Sequence, residues 1–151
     1  MPHLIDLVTT QDASAVRDLM ARTIRERVTR DQALLTATLA NVNANVDYWL
    51  AKPDSCVHLK ATVDGGLVGV VLVKDFWNLC SLFVDPAFHG KGIGRALVEA
   101  AAAACRGKSP KGALFLNAAT NAIAFYQRLG FMPRTTTQSL PPGFQAMQRP
   151  L

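Results

Sequence analysis

Cysteine is scarce in this sequence, and what there is forms no pattern. Cys56, Cys80 and Cys105 are odd in number and widely spaced, with no CxxC pair. Neither a disulfide framework nor a zinc site is expected, and no other metal site shows in the spacing. That usage favours a reducing, cytoplasmic setting. Long apolar runs are missing too: none approaches the roughly 18 residues of a membrane span. The start, Met1-Pro2-His3-Leu4-Ile5-Asp6, has neither the basic region nor the apolar stretch of a secretory signal. No internal repeat, low-complexity tract or linker interrupts the chain, so residues 1–151 are expected to form one domain.

What is present is enough for a core. Half of the residues are apolar, which argues against global disorder. The net charge of +5 is uneven, with a balance of −1 over residues 1–50 and +6 over residues 51–151. A basic half attracts an anionic cofactor or nucleic acid, or merely solubilises the surface. The basic residues are scattered and no nucleic-acid recognition motif appears, so no nucleic-acid partner is expected. The cluster Arg22, Arg25, Arg27 and Arg30 reads first as a solvated helix face and second as a contact for an acidic acceptor.

The patterning predicts a first strand over His3–Val8 and a helix through Ile24, capped by Thr9-Thr10-Gln11-Asp12. A second helix is expected from about Asp31. The run Asn41-x-Asn43-x-Asn45 should weaken it before Val46–Leu50 resumes it, and Lys52-Pro53-Asp54 ends it. Val57–Val63 and Leu67–Lys74 read as strands joined by Asp64-Gly65-Gly66, a hairpin turn that needs positive φ. Trp77–Val84 is a third strand, stopped by Asp85-Pro86. A helix over about Gly92 to Cys105 carries a stripe of Ile93, Ala96, Leu97, Ala100, Ala101 and Ala104. A strand at Ala113–Leu116 and a helix at Asn121–Leu129, closed by Gly130, come next. Final strands are expected around Arg134–Ser139 and Phe144–Gln148. The order β α α β β β α β α β β implies an α/β fold. Its mixed sheet has antiparallel hairpins, flanking helices and one parallel crossover through the Ile93 helix.

The chemistry concentrates in the turn from Val84 to Ala96. A helix N-terminus leaves its first N–H groups unpaired and carries the positive end of the dipole, so it suits an anion. Gly90, Gly92 and Gly94 remove the β-carbons that would hold an anion away, while Lys91 and Arg95 add charge at the mouth. The run lacks the GxxxxGK[ST] of a P-loop. After Gly90-x-Gly92 the sixth position of a GxGxxG fingerprint is Arg95, and no acidic residue follows near the required offset. A third phosphate pattern, V-x-P-x-x-[QRH]-G-x-G-[IL]-G between a strand and a helix, fits at every position from Val84 to Gly94.

On those residues the chain resembles the GNAT superfamily of acyl-CoA-dependent N-acyltransferases. A distant segment agrees: Asn117 to Phe131 is similar to the family's N-x-x-A-x-x-[FY]-Y-x-x-x-G-F signature. The resemblance covers most of the chain from about Val57 to Met147. It implies acceptor-side helices over about 9–50 and an acyl-CoA core over about 57–148. The implied reaction moves an acetyl group from acetyl-CoA, with no metal, to a primary amine of a small molecule or peptide. By the same resemblance, the backbone of Leu82, Phe83 and Val84 pairs with the pantetheine arm. The N–H groups of His89, Gly90, Lys91, Gly92, Ile93, Gly94 and Arg95 take the pyrophosphate. Asn121 bonds the pantetheine, and Tyr126 sits beside the thioester sulfur as general acid. Many members dimerise, and nothing in the sequence fixes an interface.

A phenol of pKa about 10 outlasts a thiol of about 8.5, so Tyr126 suits that acid role; it also reads as a half-buried aromatic of an amphipathic helix. The Val84 N–H is a candidate support for the carbonyl oxygen. Many members carry a glutamate on the strand before the loop. Here Asn78-Leu79-Cys80-Ser81-Leu82 has no carboxylate, and Cys80 takes that place. A water chain, Asp75, Asn78 or His58 stay open as bases. Cys80 reads better as a small hydrophobe than as an acyl-carrying nucleophile. The bare strand keeps a second function open, a non-catalytic acyl-CoA-binding regulatory module.

Overall fold

The computed structural model describes residues 3–28, 31–137 and 139–151, and for Arg27 and Val28 the backbone alone. The expectations for Met1-Pro2, for Arg30, for the Arg27 side chain and for Gln138 lie outside the described residues. The elements are β1 (Leu4–Leu7), α1 (Ala13–Thr23), α2 (Gln32–Ala51), β2 (Cys56–Val63), β3 (Gly66–Lys74), β4 (Asn78–Val84), α3 (Ile93–Cys105), β5 (Ala113–Ala119), α4 (Ile123–Arg128), β6 (Met132–Pro133) and β7 (Phe144–Pro150). They occur in the order the sequence implies. The strands form one seven-stranded sheet in the order β1-β2-β3-β4-β5-β7-β6. Every neighbouring pair is antiparallel except β4 and β5, which are parallel and joined through α3.

Strand β3 explains the layering. Its run Val70-Val71-Leu72-Val73 is buried throughout, because alternate side chains enter two cores. Val70 and Leu72 pack with Val16, Leu19, Met20 and Ile24, and with Val42, Val46 and Trp49 of α2. Val71 and Val73 face the opposite layer with Ile93, Leu97, Val98, Ala101, Ala102 and Cys105 of α3. Each fully buried leucine here contributes about 1.5–3 kcal/mol. The hairpin between β2 and β3 turns at Asp64 (φ 50°) and Gly65 (φ 80°), the paired positive φ that its residues signalled.

Three expectations shift. The asparagines do not weaken α2, which runs unbroken. The Arg17 guanidinium donates to the carbonyl of Asn43 at 3.3 Å and to its Oδ1 at 2.9 Å. Lys74 Nζ donates to Asn45 Oδ1 at 2.9 Å, so these polar side chains are partnered from outside the helix. The buried stripe of α3 is rotated towards Val98, Ala102 and Cys105, leaving Ala104 exposed. Alanine has little surface to bury, so the larger side chains set the face. Among the described residues of 134–139, none lies in a strand. Strand β6 is the two residues before them, on the sheet edge, where a proline without an N–H is tolerated.

Helix α3 presses on β3 at Gly69. A β-carbon there would lie 3.0 Å from Leu97 Cδ1 and 3.2 Å from Ile93 Cγ2. Gly69→Val should therefore lower stability by about 1–3 kcal/mol through overpacking, read by urea unfolding. An unchanged midpoint and slope would mean that this approach is not tight.

Candidate active site

Strands β4 and β5 meet at only one ladder position, Asn78 opposite Phe115, where the Phe115 N–H donates to the Trp77 carbonyl at 2.7 Å. Beyond it the two strands part. The β3 side shows which groups of β4 are left over. The Asp85 N–H donates to the Val68 carbonyl at 2.8 Å, and Phe83 and Ser81 lie opposite Val70 and Leu72. In an antiparallel ladder, peptide groups alternate between the two edges. Asp85, Phe83 and Ser81 thus face β3, while Leu82 and Val84 turn their N–H and C=O towards the gap. Phe83 points its side chain into the α1–α2 layer. An irregularity between Leu72 and Val73 leaves Cys80 as the extra residue of β4.

The strand runs into the glycine turn. Asp85 accepts the Ala87 N–H at 2.9 Å and holds Arg22 of α1 at 2.7 Å, so its carboxyl sits below the usual carboxylate range. Arg22 is committed to this ion pair inside the molecule. The ring Nε2 of His89 lies 2.8 Å from the Val84 carbonyl and closes the turn. Gly90 and Gly92 adopt φ of 76° and 78°, where other residues cost about 1–2 kcal/mol, and a β-carbon on either would meet only open space. Gly92 is the N-cap of α3 and supplies no side-chain cap. The first helical bond runs from the Ala96 N–H to the Gly92 carbonyl at 3.0 Å, so the N–H groups of Ile93, Gly94 and Arg95 have no helical acceptor. Gly94 serves packing: a β-carbon there would lie 3.3 Å from Phe125 Cζ of α4.

A cavity of about 440 Å³ lies between this turn and α4, lined by Leu82, Val84, His89, Gly90, Gly92–Arg95 and Tyr126, with Phe88 and Phe125 among its apolar walls. Phe83, Lys91 and Asn121 are not in its walls; Lys91 and Asn121 are exposed nearby in sequence. Helix α4 ends with Gly130 at φ 89°, the Phe131 N–H reaching back to the Tyr126 carbonyl at 3.0 Å. Tyr126 stands edge-on to Phe125 and Phe131, at 5.1 and 5.5 Å between ring centres. Burial pushes its phenol up to about 12.

Residues 19–140 match the acetyltransferase (GNAT) domain family. The chain belongs to the GNAT acetyltransferase family. No curated protein matches it. Among solved structures it resembles a GCN5-related N-acetyltransferase from Rhodopseudomonas palustris at 20% identity and TM-score 0.79, covering 100% of this chain and 97% of that one. It also resembles the PaiA N-acetyltransferase of Thermoplasma acidophilum in complex with coenzyme A, at 16% identity and TM-score 0.75 over 100% of both chains. A third is yncA of Salmonella typhimurium with its cofactor acetyl-CoA, at 17% identity and TM-score 0.72 over 99% of this chain and 94% of that one. At these identities the likeness is one of fold.

Two groups weighed as bases in this GNAT domain lie elsewhere or are engaged. His58, on β2, is buried edge-on to Trp49 at 4.5 Å between ring centres, and burial pushes its imidazole down to about 4. Asp75 accepts the Tyr48 hydroxyl at 2.6 Å. Burial raises the Cys80 thiol to about 11, and its Sγ donates to the Leu72 carbonyl at 3.6 Å, which fits a packed hydrophobe rather than a nucleophile. Among the described residues no three His, Cys, Asp or Glu gather as a metal site.

Sequence reasoning missed a second cavity of about 200 Å³, walled by Trp77, Asn78, Phe115, Leu116, Asn117 and Arg134. It sits at the closed end of the β4–β5 gap. Leu79, Leu82, Val84, Leu114 and Leu116 belong to the α3 core. Alternation therefore puts Asn78, Phe115 and Asn117 on the other face of the sheet. Only the interleaved polar and aromatic residues of two strands signalled it.

The two tyrosines of the chain give a clean readout. The Asp75 hydrogen bond raises the Tyr48 phenol to about 12, and burial raises Tyr126 likewise. Phenolate absorbance should therefore appear near pH 12 rather than 10, with Tyr48→Phe and Tyr126→Phe assigning the two steps. The unfolded chain releases both protons first, so stability should fall as pH rises from about 10 to 12. A full phenolate signal near pH 10 from the folded protein would contradict both environments.

Proposed function

We propose that the protein transfers the acetyl group of acetyl-CoA to a primary amine of a small molecule or peptide by direct attack, with Tyr126 as general acid. The observation that carries this is one cavity that joins an uncapped, glycine-lined helix start to the half-buried Tyr126, with the free edge of β4 between them. The residues present fit the donor. The N–H groups from Gly90 to Arg95, with the Lys91 and Arg95 side chains nearby, suit a pyrophosphate, whereas the His89 N–H already donates to the Pro86 carbonyl at 3.3 Å. Leu82 offers strand-edge N–H and C=O groups to the amides of a pantetheine arm, as an added strand would use them, while the Val84 carbonyl is already held by His89; Asn121, exposed in the turn before α4, is the proposed extension of that contact. Phe83 is left out, since its peptide groups face β3.

The thioester supplies an activated acyl group. The Val84 N–H is the proposed support for negative charge on the carbonyl oxygen. Tyr126 keeps its proton at neutral pH and can surrender it to a departing thiolate. Moving that proton to sulfur leaves a phenolate that burial opposes, and the proton shed by the acceptor nitrogen as the amide forms restores the phenol. The acceptor enters from the opposite face of the sheet, through the gap between β4 and β5. The absence of a carboxylate in that wall supports a second reading, a non-catalytic acyl-CoA-binding module.

Release of CoA thiol from acetyl-CoA over an amine panel separates the two. Tyr126→Phe should lower kcat by about 10²-fold or more while CoA affinity holds. Binding without turnover, indifferent to that change, would favour the module. Gly92→Asp should abolish CoA binding, whereas Gly92→Asn, with a similar backbone cost and no charge, should bind measurably. Equal affinity in both would refute the cradle.

A further inference from the structure

The smaller cavity has a chemistry of its own. Its floor is Phe115, with Trp77 edge-on at 5.6 Å between ring centres. Two cations stand on these rings: Arg134 Cζ lies 4.5 Å from the Phe115 centre, and Lys111 Nζ lies 4.1 Å from that of Trp77 and 5.0 Å from that of Phe115. No carboxylate lines the cavity. Arg134 is fixed at its root, its N–H donating to the Ala146 carbonyl at 2.9 Å and its carbonyl accepting Gln145 Nε2 at 3.4 Å. Yet its Nε is buried without a hydrogen-bond partner. A buried guanidinium donor left unpaired is costly, and an acceptor carried by a bound molecule would satisfy it.

The turn leading into the cavity is strained as well. Asp75 and Phe76 both hold positive φ, 55° and 65°, with the Trp77 N–H donating to the Lys74 carbonyl at 3.2 Å. A turn with two such residues favours glycine or asparagine, and a phenylalanine there is costly. That cost is retained at a turn whose next residue is the Trp77 wall.

We propose that this cavity receives the acceptor amine, and that the acceptor is a small amino-acid-like molecule whose carboxylate pairs with Arg134. The proposal rests on the acetyltransferase reading above and narrows its acceptor. A guanidinium presents planar paired donors that match a carboxylate. Asn78 and Asn117 add amide groups for the remaining polar atoms. The volume lies below the roughly 300–1,000 Å³ of drug-sized sites, which suits a compact acceptor over a folded peptide. Lys111 adds to the positive field and disfavours polyamines and other acceptors of high positive charge.

The test uses the full chain with acetyl-CoA and matched acceptors: glycine against glycinamide, β-alanine against its amide, phenylalanine against phenethylamine, with phosphoethanolamine and spermidine as further arms. The expected result is a kcat/KM at least tenfold higher for the carboxylates than for their neutral partners, carried mainly by KM. Arg134→Gln should bring that ratio near one, and Arg134→Lys should restore part of it. Calorimetric binding of the same acceptors with CoA present is measured alongside. Carboxylate-selective binding lost in Arg134→Gln supports the inference even if no acceptor turns over, in which case the transfer reading fails alone. Turnover that favours spermidine, phosphoethanolamine or the neutral amines overturns the inference and leaves the transfer reading standing. Neither selective binding nor selective turnover overturns it too, as does selectivity unchanged in a folded Arg134→Gln protein.

Discussion

The parting of β4 from β5 is the constraint on which the site depends. Parallel neighbours in a sheet ordinarily satisfy each other's peptide groups, and here they do so at one position, Asn78 and Phe115. Buried or half-buried peptide groups left unpaired are costly, so the gap stands as an invitation to a molecule with amides to offer. The crossover through α3 sets that gap. Glu99 of α3 holds Arg149 of β7 at 2.8 Å, and Gly69 allows α3 to lie close on β3. Both sides of the opening are thereby braced by the same helix, and the N-terminus of that helix lies at its mouth.

Two faces of one gap then take different chemistry. On the α3 side, glycine and backbone N–H groups dominate, which suits an anion recognised through its oxygens. On the other side, two side-chain cations lie on aromatic rings, which suits an acceptor recognised through its own charge. The ion pair between Arg22 and Asp85 ties α1 to the end of β4, so the helical layer and the turn are held in one frame.

Most of this order was legible in the sequence because it rests on local signals. Asp64-Gly65 and Gly130 announce a positive φ that few residues adopt, Pro86 announces the end of a strand, and the structure puts each where it was expected. What the sequence hid depends on partners far along the chain. Asn43 and Asn45 read as helix-weakening until Arg17 and Lys74 reach them. Phe83 looks equivalent to Leu82 and Val84 until the register with Val70 sends its peptide groups the other way. Gly94 looked like part of the anion cradle alone; its backbone does line the cavity, and its missing β-carbon also makes room for Phe125. Arg134 looked like the start of a strand, with nothing local to show that it would lie on Phe115.

The missing carboxylate on β4 becomes less of a puzzle once Arg134 and Lys111 are in place. A carboxylate beside an incoming ammonium accepts its proton but also stabilises the charged form, raising the amine's pKa. Cations near the same spot do the reverse: they disfavour the ammonium and so favour the neutral, nucleophilic amine. A site of this kind has less need of a strong base, because its field lowers the cost of losing the proton before attack. It demands instead that the acceptor bring a negative group of its own to overcome the repulsion. On that reasoning the absent base and the unpaired Arg134 donor form a single feature, and the carboxylate of the proposed acceptor would answer both.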